Sequence, residues 1–341
     1  MVADSAEIVL MGELAGKVAI VTGAGRGLGR AHALALAEAG AAIVVNDFGS
    51  AVDGSGRVDP EPARAVVREI TAGGGRAIAN AEDVSDWGAA ARIVDAAWEA
   101  YGRLDVLVNN AGVTRFATIE TETGQGWRKV LGVNLDGTAA LTHWAALRWR
   151  RVGAEPGRAI VNTASPAGTH PAPGAAAYCA SKAAVIALTI SSAGELAELG
   201  VKVNAIAPMA RTRMTDIPAL AEIMKPVDAG FDRVAPDHVA QVVRYLATPA
   251  CRFTGRVFGC EGDDVFLFNS FSAEGHANNA GRPWNVEALA AALAPFDRQD
   301  RGLMIAPSAR VPAAVPSDAV YEALDAVARG EAAHVWNPLT G

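Results

Sequence analysis

Cysteine is scarce in this chain. Its 341 residues hold three, Cys179, Cys251 and Cys260, an odd number with no Cys-x-x-Cys pair. Such spacing implies neither a disulfide framework nor a zinc site, so no metal is expected, and a reducing, cytoplasmic setting is the default. Basic charge is also short: 30 Lys and Arg face 37 Asp and Glu, for a net charge of −7. That balance offers no surface for a polyanion and argues against a nucleic-acid partner. No run of residues reads as the roughly eighteen apolar positions a membrane span needs, so no membrane partner is expected. The first residues, MVADSAEIVLMGELAGKV, are acidic and lack the basic region and long apolar core of a signal peptide. Residues 1–13 read as a flexible leader, with 1–10 either disordered or an over-extended start ahead of Met11. Internal repeats are absent.

What is present suits one large globular domain with an appendage. The chain is 51% hydrophobic and 20% charged, enough to fill a core. Lys17–Thr22 is a short β-branched run. It enters Gly23-Ala-Gly-Arg-Gly-Leu-Gly29 and then an Ala/Leu helix that ends near Gly40. Strand, glycine turn and helix in that order let a backbone approach a pyrophosphate at the helix N-terminus. Gly23, Arg26, Gly27, Leu28 and Gly29 are therefore candidate cofactor contacts. The next strand, Ala41–Asn46, ends at Asp47, eighteen residues after Gly29, where a carboxylate can bind an adenosine ribose. A turn or helix-capping role is the alternative. Residues 48–60 read as a long surface loop.

Further strands are expected at 76–80, 104–108, before Ser165, at 201–207 and at 256–261, the last with 265–268 as a possible part. Helices are expected near 61–72, 86–101, 124–150, from Tyr178 to about 199, 236–248 and 286–294. Strands alternating with helices imply a doubly wound α/β fold, a Rossmann arrangement of about seven parallel strands with helices on both faces. Residues 14–268 would form that domain, and 269–341 a C-terminal extension that packs on it or on a neighbouring subunit. Gly23, Asp47, Asp83, Asn110, Ser165 and Pro208 all fall just past a strand's C-terminal end, the edge where such folds bind ligands. Val84, Ala111 and Gly112 join them as candidate cofactor contacts. Residues 209–235, rich in Pro, Met and Arg, look like a mobile flap.

The chemistry centres on residues 158–190. Ser165 closes an apolar run, and a helix then presents Tyr178 and Lys182 on one face. A free phenol titrates at about pH 10, and a neighbouring ammonium favours the phenolate. Such a trio is an acid–base device for an alcohol or ketone, and the expectation is that Lys182 lowers the Tyr178 pKa. Asn134 lies mid-helix, where its propensity is poor. Either an opening of the helix around a water or a buried hydrogen bond explains it. Trp127, Trp144 and Trp149 read as core or subunit packing.

Together these residues resemble the short-chain dehydrogenase/reductase family. Thr22-Gly-Ala-Gly-Arg-Gly-Leu-Gly29, Asn109-Asn-Ala-Gly112, Asn134 in VNLDG, Ser165, Tyr178 and Lys182 carry the resemblance, which spans about residues 14–262. Within the family the chain is most similar to (R)-3-hydroxyacyl-CoA dehydrogenases of multifunctional enzymes, through VVNDFG, NTASPAG and IAPMARTRMT. The resemblance implies an NAD-dependent enzyme, NADP being disfavoured. It would exchange a hydride with a secondary alcohol or ketone and assemble as a homodimer or homotetramer. It implies catalytic roles for Asn134, Ser165, Tyr178 and Lys182. Asn134 would fix a water linked to Lys182, while Tyr178, Lys182, Pro208 and Thr212 would contact the cofactor. Two departures stand out: Met209 replaces the usual glycine after Pro208, and Arg26 occupies a position where a basic residue often accompanies NADP. Arg211 and Arg213 either meet the phosphates of coenzyme A or are solvated at the surface, one of them paired with Asp216, and His170 is either a substrate contact or an exposed loop residue. A hydroxysteroid or other bulky-alcohol dehydrogenase and a non-catalytic nucleotide-binding protein remain the alternatives.

Overall fold

A computed structural model of the chain describes residues 12–227, 230–268, 276–280, 283 and 285–293. Expectations for the leader 1–10, and for how the extension packs, fall outside these residues.

Four apolar residues and a threonine make β1 (Val18–Thr22), and all five are buried. Its side chains alternate between two cores: Ala19 and Val21 face one, Val18 and Ile20 the other. β2 (Ala42–Asn46) and β4 (Val106–Asn109) repeat the pattern, as strands covered on both faces must. With β3 (Arg76–Asn80), β5 (Arg158–Thr163), β6 (Val201–Pro208), β7 (Val257–Glu261) and β8 (Asp264–Phe268), they form one eight-stranded sheet in the order β3-β2-β1-β4-β5-β6-β7-β8.

The seven strands β1–β7 pair in parallel, and β8 returns antiparallel against β7 through a tight turn at Gly262. The final strand expected from the sequence is thus a hairpin. The helices α1 (Gly27–Glu38), α2 (Glu61–Ala72) and α8 (Pro236–Ala247) cover one face. On the other lie α3 (Trp87–Tyr101), α5 (Gly137–Val152) and α7 (Ala176–Glu195). The chain runs from β3 at one edge back to β4 beside β1, so the strand order reverses there and opens a crevice at the C-terminal ends.

The long helix expected over 124–150 is three pieces. α4 (Gly124–Leu131) passes through a π-helical turn, Gly132–Asp136, into α5. Trp149 is fully buried and donates its indole N–H to the Leu104 carbonyl at 2.8 Å, a core role. α7 is the one described helix long and apolar enough, by length and composition, to cross a membrane. Half of it is buried, and it packs on β5 and β6. It carries Ser181 and Lys182 within the core.

The chain divides into two compact units, residues 1–268 and 269–341. The second contains helix α9 (Val286–Leu293).

Candidate active site

The glycine turn is built by sterics. Gly23 and Gly27 have φ of +61° and +53°, a region that favours glycine. A Cβ on Gly29 would sit 2.1 Å from the Gly23 carbonyl oxygen, so no side chain fits there. α1 starts at Gly27 without a side-chain cap and without an acidic residue in its first turn. Among the described residues no side chain caps its leading N–H groups, which are suited to an anion. The Thr22 hydroxyl accepts from the Asn110 and Ala111 N–H groups at 3.0 Å each. The Asn110 amide returns a bond to the Thr22 carbonyl at 2.8 Å. These bonds tie the ends of β1 and β4 together beneath the crevice.

Asp47 is buried, and its carboxylate is pinned at both oxygens. Oδ2 accepts from the Gly25 N–H and Oδ1 from the Gly49 N–H, each at 2.7 Å. Asp83 accepts from both the N–H and the hydroxyl of Ser85, at 2.9 and 2.7 Å, and so also shapes the turn into α3. The loop 48–60 lies at the surface as expected, with residues 51, 53 and 55–59 exposed, and it also folds back over the cleft. Asp59 donates its N–H to Phe48, and Thr114 donates its N–H to the Val52 carbonyl, both at 3.0 Å. Ser50, Ala51 and Val52 line the cleft. Its Gly/Ser/Asp-rich composition gave no sign of this, because the anchoring partners lie far away in sequence.

Ser165 leaves β5 in an extended conformation and caps a short helical turn, α6 (Pro166–Thr169), accepting from the Ala167 N–H at 3.1 Å. Its hydroxyl also favours the phenolate form of Tyr178. Burial raises the Tyr178 pKa above the ordinary value, and the Ser165 hydroxyl opposes that only in part. The expected lowering by Lys182 does not prevail in this geometry. The ammonium lies 5.8 Å from the phenol ring centroid, donates to the Thr163 carbonyl at 2.7 Å and is itself buried, which depresses its pKa to about 8. At that value the ammonium is still mostly charged at neutral pH, and burial of the phenol outweighs its influence.

Asn134 occupies the π-helical turn. Its Oδ1 accepts from the Val113 N–H at 2.8 Å, and its Nδ2 donates to the Val113 carbonyl and the Ser181 hydroxyl, both at 3.0 Å. The Asn134 carbonyl accepts from the Thr138 hydroxyl at 2.8 Å. Both sequence alternatives are thus partly met: the helix does open, and the side chain is fully hydrogen-bonded within the protein. A Cβ built on Gly112 would lie 3.4 Å from Asn134 Oδ1 and 3.5 Å from Lys182 Nζ, so this glycine keeps the approach to both open.

Past Pro208, the segment 210–215 forms a stiff turn. Thr212 donates its N–H to the Thr215 hydroxyl at 2.8 Å, Thr215 Oγ1 donates to the Ala210 carbonyl at 2.9 Å, and the Met214 N–H donates to Thr212 Oγ1 at 3.1 Å. Thr212 packs next to Gly27 across the crevice. Arg211 does not face a ligand. Its guanidinium pairs with Asp232 and donates to the Lys225 carbonyl at 3.2 Å, so it braces residues 209–235 internally. The partner weighed from the sequence, Asp216, is not the one used. Arg213 does line the cleft. Partial desolvation at the cleft wall and the nearby Arg26 push the pKa of this largely exposed side chain down, with Asp47 acting in the opposite sense. His170 bonds Thr169 Oγ1 at 2.9 Å, and its ring lies 6.2 Å from that of Phe268.

One cleft collects Gly23, Arg26, Gly27, Leu28, Gly29, Asp47, Asp83, Val84, Asn110, Ala111, Gly112, Ser165, Tyr178, Lys182, Pro208 and Thr212. Of the residues chosen from the sequence for catalysis or cofactor binding, Asn134 alone stands behind the wall rather than in it. The sequence reading missed Ser50, Ala51, Val52, Lys129 and Thr215, and it aimed Arg213 at coenzyme A rather than at this side. For Lys129 the available signal was a lone cation on a helix face, which is usually solvated.

Residues 17–219 match the short chain dehydrogenase family. Hydroxyacyl-CoA dehydrogenase ChsB1 of Mycobacterium tuberculosis is 40% identical over 293 residues, covering 83% of this chain and 89% of the relative. The peroxisomal hydratase-dehydrogenase-epimerase of Saccharomyces cerevisiae is 36% identical over 244 residues, 71% of this chain but 25% of that longer protein. Among solved structures, a short chain dehydrogenase from Mycobacterium avium superposes with a TM-score of 0.71 at 41% identity, covering 84% of this chain and 94% of the other.

Proposed function

We propose that this chain, which belongs to the short-chain dehydrogenase family and is an oxidoreductase of CH–OH groups, interconverts a 3-hydroxyacyl-CoA and its ketone with NAD. The observation that carries the reading is the convergence of Ser165, Tyr178 and Lys182 on the same cleft as the glycine turn and Asp47. The residues present fit a nicotinamide dinucleotide. α1 has an uncapped N-terminus, Asp47 offers a fixed carboxylate, and Gly112 leaves Lys182 approachable. When bound, the dinucleotide supplies the hydride acceptor or donor.

The chain's own residues would handle the proton and the geometry. The Tyr178 phenol exchanges a proton with the substrate oxygen, and the Ser165 hydroxyl, on the same cleft, holds that oxygen. Lys182 carries its charge close to neutrality, so it can take up or release a proton behind Tyr178 at little cost. Asn134 fixes the backbone at Val113, which positions the wall of the cleft. The loop after Ser165 is mostly small residues, Pro166-Ala-Gly-Thr-His-Pro-Ala-Pro-Gly-Ala175, and leaves room for a bulky substrate.

The hydroxyacyl-CoA preference is supported by the named activity of the mycobacterial relative, not by Arg211, which is occupied by Asp232. A panel of 3-hydroxyacyl-CoA thioesters, hydroxysteroids and short free alcohols, each with NAD, tests the proposal. Thioesters should give the highest kcat/KM. Equal efficiency on short free alcohols would overturn the coenzyme A reading, and preference for steroids would replace it with a hydroxysteroid dehydrogenase. Binding of NAD without turnover of any substrate would leave a nucleotide-binding protein.

A further inference from the structure

Among the described residues, the cleft holds two guanidiniums with no hydrogen bond or ion pair, Arg26 and Arg213. They come from opposite sides. Arg26 is the residue before α1, at the glycine turn, and Arg213 rides the stiff turn 210–215 past β6. The two turns meet where Thr212 Cγ2 lies 3.4 Å from a Cβ built on Gly27. The carboxylate that acts on Arg213 is Asp47, and each of its oxygens is already engaged by a glycine N–H. Two cations thus share one pinned carboxylate beside the uncapped N-terminus of α1, which adds its own partial positive charge. Local charge is left in excess, and the excess lies where an anionic group of two negative charges would compensate it.

Resting on the cofactor reading above, we propose that Arg213 is a cofactor-binding residue. It clamps the pyrophosphate of the dinucleotide from across the crevice, opposite Arg26 and the α1 N-terminus. The shape of its support favours this role. The Thr212–Thr215 turn is held by three side-chain hydrogen bonds, so the Arg213 backbone is fixed before any ligand arrives and little ordering cost remains on binding. Its neighbour Arg211 differs in kind, since Asp232 and two backbone carbonyls consume its fork. Sequence alone puts both arginines in one class; the structure separates a brace from a free guanidinium.

The shared chemistry is a phosphate oxygen, which the cofactor presents either as pyrophosphate or, in NADP, also on the adenosine ribose. Calorimetric titration of wild type, Arg213→Ala and Arg213→Lys with adenosine, ADP, ADP-ribose, NAD and NADP tests the assignment without requiring turnover. Arg213→Ala should weaken ADP, ADP-ribose and NAD by about tenfold and leave adenosine unchanged, since a charge-assisted bond to a phosphate is lost. Arg213→Lys should recover part of that loss. The KM for NAD should rise while kcat stays within a small factor. Three results would overturn the clamp: NAD affinity unchanged in Arg213→Ala, an equal loss for adenosine, or a loss confined to NADP, which would move Arg213 to the ribose. A wild-type chain that binds no dinucleotide at all would overturn the cofactor reading itself, an outcome distinct from these three. Arg213 is exposed, and a matching thermal midpoint for the variants confirms that folding is intact.

Discussion

Asn134 pairs with the main chain of Val113 as a neighbouring strand would, accepting from its N–H at 2.8 Å and donating to its carbonyl at 3.0 Å. The pairing is possible because the helix between α4 and α5 widens into a π-helical turn at this residue, so the amide reaches sideways rather than along the helix. Val113 follows Asn109-Asn-Ala-Gly112, the strand end that floors the cleft. Asn134 Nδ2 also donates to the Ser181 hydroxyl on α7, so this one side chain links that floor to the helix carrying Lys182.

Asn134→Ala should destabilise the fold as well as slow the enzyme. The change strands the Val113 N–H and carbonyl in a region where Asn134 is 1% exposed. A buried group left without a partner costs about 1–3 kcal/mol. Urea denaturation should show a lower midpoint at an unchanged slope. A midpoint equal to wild type with turnover lost would assign Asn134 to proton transfer alone.

Tyr178→Phe should lower turnover by about 10²–10⁴-fold while NAD still binds, because only the phenolic hydroxyl is removed. The pH profile follows from the direction of the pKa shift. Burial raises Tyr178, so the neutral phenol persists past neutrality. Ketone reduction, which needs the phenol as acid, should be flat through neutral pH and fall only in the alkaline range. Alcohol oxidation, which needs the base form, should keep climbing as pH rises. Comparing kcat/KM in both directions checks this; an oxidation rate that falls from neutral to alkaline pH would place the proton elsewhere.

Much of this site is legible in the sequence, and the reason is local. The glycine turn and the Tyr178–Lys182 pair are fixed by neighbours within a few positions, and every parallel strand delivers its last residues to the same edge. Asn134 gave a fainter signal: an unfavourable residue mid-helix shows that something compensates it, but not that the helix widens. The roof formed by Ser50–Val52 was invisible because Thr114 anchors it through the Val52 carbonyl, a contact between backbones with no compositional trace. Arg211 and Arg213 look alike in a string of letters. Only the placement of Asp232, twenty-one residues beyond Arg211, tells them apart.

NAD should be favoured over NADP in kcat/KM, with Asp47 responsible. Glycine amides fix both carboxylate oxygens, so the charge cannot swing away from a ribose 2′-phosphate. Arg26 and Arg213 pull the other way, but both are also needed at the pyrophosphate common to the two cofactors. Asp47→Ala should narrow the preference, and it should also weaken NAD because the loop at Gly49 loses its acceptor. A wild-type ratio near one, or above one for NADP, would refute the assignment.

Acid should weaken the fold through His32. This residue sits on α1 at 0% exposure, and neither ring nitrogen has a partner among the described residues. Burial penalises the imidazolium and takes the pKa from 6.5 down to about 3. The native state therefore holds fewer protons than the unfolded chain between those limits. The neutral ring is stable in the fold above pH 6.5, and that stability is lost progressively as pH falls toward the folded value. A single such group contributes a loss of about 1.4 kcal/mol for each pH unit below its unfolded pKa. Carboxylates also titrate in this range, so the informative quantity is a difference between proteins. His32→Leu keeps a similar volume, removes two unpaired polar atoms and cannot titrate. Denaturation of wild type and variant at neutral pH and at about pH 4.5 should show the gap widening in the variant's favour by roughly 2–3 kcal/mol. A gap independent of pH would mean that the buried ring accepts a proton without leaving the fold.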